Sequence, residues 1–150
     1  MMEKLTVILG FLEFPPTHTR DGGNISPQIR LLNLKSPYLA VFAYNPYEPG
    51  CSFCTWVAWD IPPVDIIPAG FPDDAEIESP IHAKQGRNDY GDIGYRGPAP
   101  EPGESHRYLF KVYGLGSVLD VPPGSDPHAV IEAMKGHVLQ FGHTQALSQR

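Results

Sequence analysis

Cysteine is scarce: two in 150 residues, Cys51 and Cys54. That excludes a small fold stapled by disulfides. Their C-x-x-C spacing has no second Cys or His pair to match it, so it does not make a structural zinc site. It precedes a strand-like segment instead of opening a helix, unlike a thioredoxin-type motif. The two read as unrelated thiols. Long hydrophobic runs are missing as well. Leu5–Leu12 is apolar, but Glu3 and Glu13 flank it, only Lys4 is basic ahead of it, and no small-residue cleavage site follows. A membrane span needs ~20 apolar residues. The segment reads as a first strand of a cytoplasmic protein with no stable membrane insertion.

Positive charge is also in short supply. Lys and Arg number 11 against 17 Asp and Glu, for a formal net charge of −6. No basic stripe exists, which argues against a nucleic acid as partner. The deficit is local: Asp60, Asp65, Asp73, Asp74, Glu76 and Glu78 fall in a stretch without Lys or Arg, and elsewhere the signs balance. This stretch reads as a solvated acidic loop. Signatures of catalysis are lacking too. There is no Gly-x-Ser-x-Gly elbow, no phosphate-binding P-loop and no His-Glu-x-x-His. Ser105 and His106 are adjacent, but neighbours on a strand point to opposite faces and cannot form a nucleophile–base pair. Asp89 and Asp92 could lend a carboxylate to a site, with no nucleophile beside them. The chain reads as a non-enzyme without cofactor or metal.

What is abundant is turn chemistry. The 15 Gly and 17 Pro make about a fifth of the chain. An interior Pro breaks a helix by ~3 kcal/mol, so a long-helix bundle is excluded. Aromatics at 11% and hydrophobics at 41% suffice for one core, and residues 1–150 read as a single domain. Val7–Phe14, Tyr38–Asn45, Thr55–Ile61 and His106–Leu115 read as strands. In Thr55–Ile61, Val57, Trp59 and Ile61 share one face and Trp56 and Ala58 the other, as in a strand covered on both sides. Residues 62–104 are expected to hold a short strand or two anchored by Ile66, Ile67, Phe71, Ile77, Ile81, Tyr90, Ile93 and Tyr95.

One helix is expected. It starts at Asp126-Pro127 and carries Val130, Ile131, Met134, Val138 and Phe141 on one side, with Gly142 as terminator. A short strand is expected over Thr144–Ser148. Many strands, one helix and no repeats imply a mainly β protein, an antiparallel β-sandwich with a peripheral C-terminal helix. On the His106 strand, Tyr108, Phe110 and Val112 continue the histidine's face. His106 and Tyr108 therefore form a polar pair at an apolar rim, where a small pocket would sit. His18, His82 and His128 read as solvated and His137 as a packing or capping residue. His137 and His143 are too far apart in sequence to form a metal pair on one helical face.

Several segments carry a family resemblance. They are Asp21-Gly-Gly-Asn-Ile-Ser-Pro27, Gly86-Arg-Asn-Asp-Tyr-Gly-Asp-Ile-Gly-Tyr-Arg-Gly97, Pro98-Ala-Pro-Glu-Pro-Gly103, His106-Arg107-Tyr108 and Ala133-Met-Lys-Gly-His-Val-Leu139. In this order they resemble the phosphatidylethanolamine-binding protein family, in its bacterial and archaeal Raf-kinase-inhibitor-like branch. The resemblance implies a sandwich with a small surface pocket for phosphate, acetate or a phospholipid head group. It implies no general catalytic reaction.

Residue by residue the implied pocket is altered. Where the family has Asp-Pro-Asp-Ala-Pro, this chain has Asn45-Pro46-Tyr47-Glu48-Pro49. Where the family has His-Trp, it has Thr55-Trp56. His106, Tyr108 and the Gly97-Pro98 wall are kept. The site implied is therefore Asn45, Tyr47, Thr55, Gly97, Pro98, His106 and Tyr108, a more nearly neutral pocket able to hydrogen-bond a small anionic or polar ligand. The alternative is an interaction protein with a degenerate pocket that modulates a kinase or protease through its surface. Prokaryotic relatives also suggest a homodimer.

Overall fold

The computed structural model describes residues 2–46 and 53–149. In chain order the elements are β1 (Glu3–Lys4), β2 (Thr6–Ile8), a 3-10 turn (Pro16–His18), β3 (Ile29–Leu32), β4 (Tyr38–Asn45) and β5 (Phe53–Ile61). There follow β6 (Ile66–Ile67), β7 (Glu76–Ile77), β8 (Ala83–Gln85), β9 (Ser105–Leu115), α1 (Pro127–Met134) and β10 (Val138–Gln149). A seven-stranded sheet runs β1-β10-β9-β4-β5-β8-β7, and a three-stranded sheet runs β2-β3-β6. Every pairing is antiparallel except β1 with β10. The fold is thus the expected mainly β sandwich with its helix near the C-terminus. Among the described residues no helix is long and apolar enough to cross a membrane.

The large sheet is covered on both faces. One face meets the small sheet through Leu39, Val41, Trp56, Ala58, Phe110 and Val112, packed on Ile29, Leu31 and Ile67. The other face, through Phe42, Val57, Trp59 and Leu115, packs under α1 at Val130 and Met134. Trp56 and Trp59 are both fully buried. This explains why β4 and β5 carry bulky residues at consecutive positions: neither face sees water.

Ile61 departs from the expected alternation and lies with Trp56 and Ala58. The cause is Asp60, whose φ of 55° breaks the ladder, so that Leu39 faces Ile61 while Val41 faces Ala58. Such an extra residue rotates the side chains beyond it to the opposite face. Asp60 also corrects the picture of a wholly solvated acidic loop. It is 4% exposed, accepts the Leu119 N–H at 2.9 Å and meets Lys84 Nζ at 3.1 Å. Asp65, Asp73, Asp74, Glu76 and Glu78 are exposed as expected.

Three boundaries also differ. The first strand stops at Ile8 because Gly10 turns the chain with φ 83°; the chain then returns to β10 through Phe14 N–H on the Leu147 carbonyl, 2.8 Å. The helix begins where expected, with Asp126 accepting the Ala129 N–H at 2.8 Å, a cap typically contributing ~1 kcal/mol. It ends at Met134, not Gly142, because Gly136 takes a left-handed φ of 83°. From Val138 the chain is strand, so the last strand is far longer than Thr144–Ser148 and Gly142 lies within it. There a side chain on Gly142 would collide with the Leu5 carbonyl. Of the expected anchors in 62–104, Ile67, Phe71, Ile77 and Tyr95 are buried, whereas Ile66 and Tyr90 are exposed.

Candidate ligand-binding site

β4 and β9 are neighbours, and the pairing of Tyr44 with Leu109 puts Asn45 beside Tyr108. Both are buried, at 1% and 3% exposure, and the Asn45 amide donates to the Tyr108 phenol oxygen at 3.1 Å. The Tyr108 ring stands edge-on to Phe14, centroids 5.7 Å apart. His106 lies two residues earlier on the same face of β9. Its side chain is 17% exposed, and its Nε2 is 3.5 Å from Glu104 Oε1. Across the ladder from His106 is Ser148, itself buried.

Thr55 sits where β5 shifts register against β4, since Ala43 faces Trp56 but Tyr44 faces Cys54. Its hydroxyl donates to the Ala43 carbonyl at 3.3 Å, and its own carbonyl accepts from Arg96 N–H at 3.1 Å. The Thr55 proton is therefore committed to the sheet, and the hydroxyl can act toward a ligand only as an acceptor. Tyr47 lies outside the described residues, as does Cys51. Cys54 is buried, donates its thiol to the Trp56 carbonyl at 3.2 Å, and has its pKa pushed up to about 12, chiefly by burial.

The Gly97-Pro98 wall is held by the loop before β3. Gly97 N–H donates to Asn24 Oδ1 at 2.7 Å, and Asn24 Nδ2 donates to the Tyr95 carbonyl at 3.1 Å. Asn24 adopts a left-handed φ of 55°, a conformation Asn tolerates better than most residues. The Tyr95 hydroxyl donates to the His18 carbonyl at 2.7 Å, and Arg20 N–H to the Pro98 carbonyl at 3.0 Å. A side chain on Gly97 would strike the His18 carbonyl, so the close approach requires glycine. A hollow of about 340 Å³ adjoins this wall, lined by Phe14, Thr19, Asp21, Pro98, Pro100 and Ser148.

A larger hollow of about 490 Å³ lies on the opposite face of the sheet, lined by Tyr44, Lys111, Tyr113, Asp126 and Ile131 among others. It includes none of the sequence-derived site residues. Its Lys111 ammonium sits over the Tyr44 ring at 5.2 Å. Of the two acidic residues considered as donors to a site, Asp89 lines this hollow and Asp92 does not. Asp89 Oδ2 accepts the Cys54 N–H at 2.7 Å, and Asp92 meets Arg96 at 3.3 Å.

Arg20, which sequence reasoning did not place in the site, meets Tyr90, which reads from sequence either as lining the pocket mouth or as an anchor of the long loop. The Arg20 guanidinium carbon is 4.3 Å from the centroid of the Tyr90 ring. Tyr90 in turn meets Phe53 edge-on at 4.7 Å, and Phe53 pairs with Asn45 across β4 and β5. Arg20 precedes a turn motif in sequence, and Tyr90 resembled a core anchor. No spacing rule links them, because the link is made by folding residues 16–25 onto 95–98.

A two-layer sandwich with a polar cluster at one end of its central strands defines the class of protein. Residues 10–149 match the family model for phosphatidylethanolamine-binding protein, and the chain belongs to that family. It is 40% identical to a UPF0098 protein of Pyrococcus abyssi, over 99% of this chain and 86% of that protein. It is 41% identical to a UPF0098 protein of Pyrococcus horikoshii, over 100% of this chain and 78% of that one. Among solved structures, YbcL of Escherichia coli, described as a new member of the mammalian PEBP family, superposes with a TM-score of 0.85 at 24% identity. That match covers 98% of this chain and 99% of the other. A Chlamydia trachomatis protein, CT736, described as a phosphatidylethanolamine-binding protein homolog, gives 0.84, also at 24% identity, over 99% of both chains.

Proposed function

We propose that this chain is a non-catalytic binding protein that takes a small anionic or polar ligand through Asn45, Tyr47, Thr55, Gly97, Pro98, His106 and Tyr108. The observation that carries the reading is the Asn45–Tyr108 hydrogen bond, 3.1 Å long between buried side chains. Buried polar groups that specify nothing are costly. Here the amide and phenol join on one face of β4 and β9, His106 stands two residues from Tyr108 on that face, and Tyr108 meets Phe14, which lines the hollow at Pro98. The family's own name supports a head-group-like ligand, and the hollow at Pro98 suits one of that size.

The test is titration of the protein with inorganic phosphate and with O-phosphorylethanolamine while the His106 ring signals are followed by NMR. Saturable shifts at His106, lost in His106→Ala, are expected. Unmoved signals at millimolar ligand would reject the reading for these ligands.

A further inference from the structure

We infer that Arg20 is the charge-bearing ligand of this pocket. It takes an anion that offers two oxygens on one centre, a carboxylate or a phosphate, along the edge formed by Nε and Nη2. The inference rests on the proposed binding role and names the chemistry of its ligand.

Three observations carry it. The first is position. The Arg20 N–H is bonded to the Pro98 carbonyl, and the turn around it is closed by Thr19 N–H on Pro16 O at 3.0 Å and Asn24 N–H on Thr19 O at 2.8 Å. The direction in which the side chain leaves the backbone is thereby fixed. The second is orientation. The guanidinium lies over Tyr90, and Tyr90 is itself held, by Phe53 at its edge and by its N–H on Asn88 Oδ1 at 3.0 Å. An arginine lying over a ring keeps its N–H groups available for a partner alongside.

The third is the state of those donors. Arg20 Nε and Nη2 are closed to solvent and have no hydrogen-bond partner among the described residues. Arg96, in the segment that carries Gly97 and Pro98, shows what a structural arginine looks like here. Its Nη1 donates to the Tyr95 carbonyl at 2.7 Å and lies 3.4 Å from Asp73, and its Nε reaches Asp92. The contrast is between an arginine whose Nε and Nη1 meet partners of its own chain and one whose Nε and Nη2 have none among the described residues. Those two atoms form the parallel N–H fork that matches a carboxylate or phosphate edge. Guanidinium donors closed to solvent and left without an acceptor are disfavoured, so the site selects an anion over a neutral ligand.

The experiment compares wild type, Arg20→Gln and Arg20→Lys by calorimetric titration with sodium acetate, inorganic phosphate and, as a neutral control, ethylene glycol. At least a tenfold loss of affinity is expected in Arg20→Gln for whichever anion wild type binds. Arg20→Lys should fall between, because it keeps the charge and loses the fork. Acetate against phosphate decides which oxyanion the site prefers. Equal anion affinity in wild type and Arg20→Gln overturns the role of Arg20 and leaves the pocket reading standing. Absence of anion binding by wild type removes both, and binding of the glycol alone overturns the inference. Should Arg20→Gln fail to fold, the Arg20 Nε–H resonance of wild type replaces it. A shift on saturation with anion is expected, and an unmoved resonance overturns the inference.

Discussion

Asn45 and Tyr108 are joined side chain to side chain at 3.1 Å although 63 residues separate them in sequence. The pairing of β4 with β9 brings them together, so this polar contact also reports on strand register. Removing either partner alone breaks this hydrogen bond, while the second removal then has no such bond left to break. A double-mutant cycle of Asn45→Ala and Tyr108→Phe is therefore expected to show a coupling of about 1 kcal/mol in urea unfolding. A cycle that closes to zero would show that the two groups stand side by side without interacting.

Gly97→Ala is expected to destabilise by about 1–3 kcal/mol, the usual cost of overpacking. The obstacle is the His18 carbonyl, which cannot swing aside as a flexible side chain could. It already accepts the Tyr95 hydroxyl. The methyl group must push residues 16–25 away from the wall, and Arg20 moves with them. Weaker anion binding should accompany the lost stability. Urea unfolding and phosphate titration of the same variant check both effects, and an unchanged pair of values contradicts the strapped wall.

The scaffold behind the site depends on one fully buried amide. Gln85 Oε1 accepts the Trp56 indole N–H at 2.8 Å, while its Nε2 donates to the carbonyls of Pro72 at 2.6 Å and Asp74 at 2.9 Å. Gln85→Met keeps the volume and removes every one of these bonds. The two carbonyls belong to exposed residues and can turn to water, but the indole N–H of a fully buried Trp56 cannot. The expected loss is about 1–3 kcal/mol, set mainly by the stranded indole. It is read as a shift of the urea midpoint by tryptophan fluorescence.

These contacts show how far the sequence could be followed. β4 was legible to the residue, because a run from Tyr38 closed by Asn45-Pro46 has one good reading. The helix start was legible from Asp126-Pro127. Its end was not, since Val138 and Phe141 continue a helical spacing that only the left-handed Gly136 interrupts. Ile61 went to the wrong face because a single residue, Asp60, breaks the strand period. For the proposed site, strand alternation puts His106 and Tyr108 on one face of β9 and family likeness points to Asn45, which the fold then sets beside Tyr108. Arg20 could not be placed so, for its role arises from a loop laid against Tyr90 and Pro98, and neither propensity nor periodicity encodes such a contact.

The buried acids of the core imply an upper pH limit to stability. Burial pushes the Cys54 thiol from its ordinary value near 9 up to about 12. Burial likewise raises the phenols of Tyr95 and Tyr44 above their ordinary value of 10.0. In each case the folded state holds its proton more tightly than the unfolded chain does. For Cys54 the stabilisation is complete below about pH 9 and is lost as pH rises toward about 12. Through that window the unfolded chain binds fewer protons, so unfolding free energy falls with rising pH, by up to about 1.4 kcal/mol per pH unit per group. Stability measured from pH 7 to 11 should be level at first and then decline, and Cys54→Ala should make the decline shallower. The same burial predicts that, in a Cys51→Ser background, native protein at pH 8 reacts with a thiol reagent only as fast as it unfolds. Prompt labelling at the rate of an exposed thiol would contradict a closed Cys54.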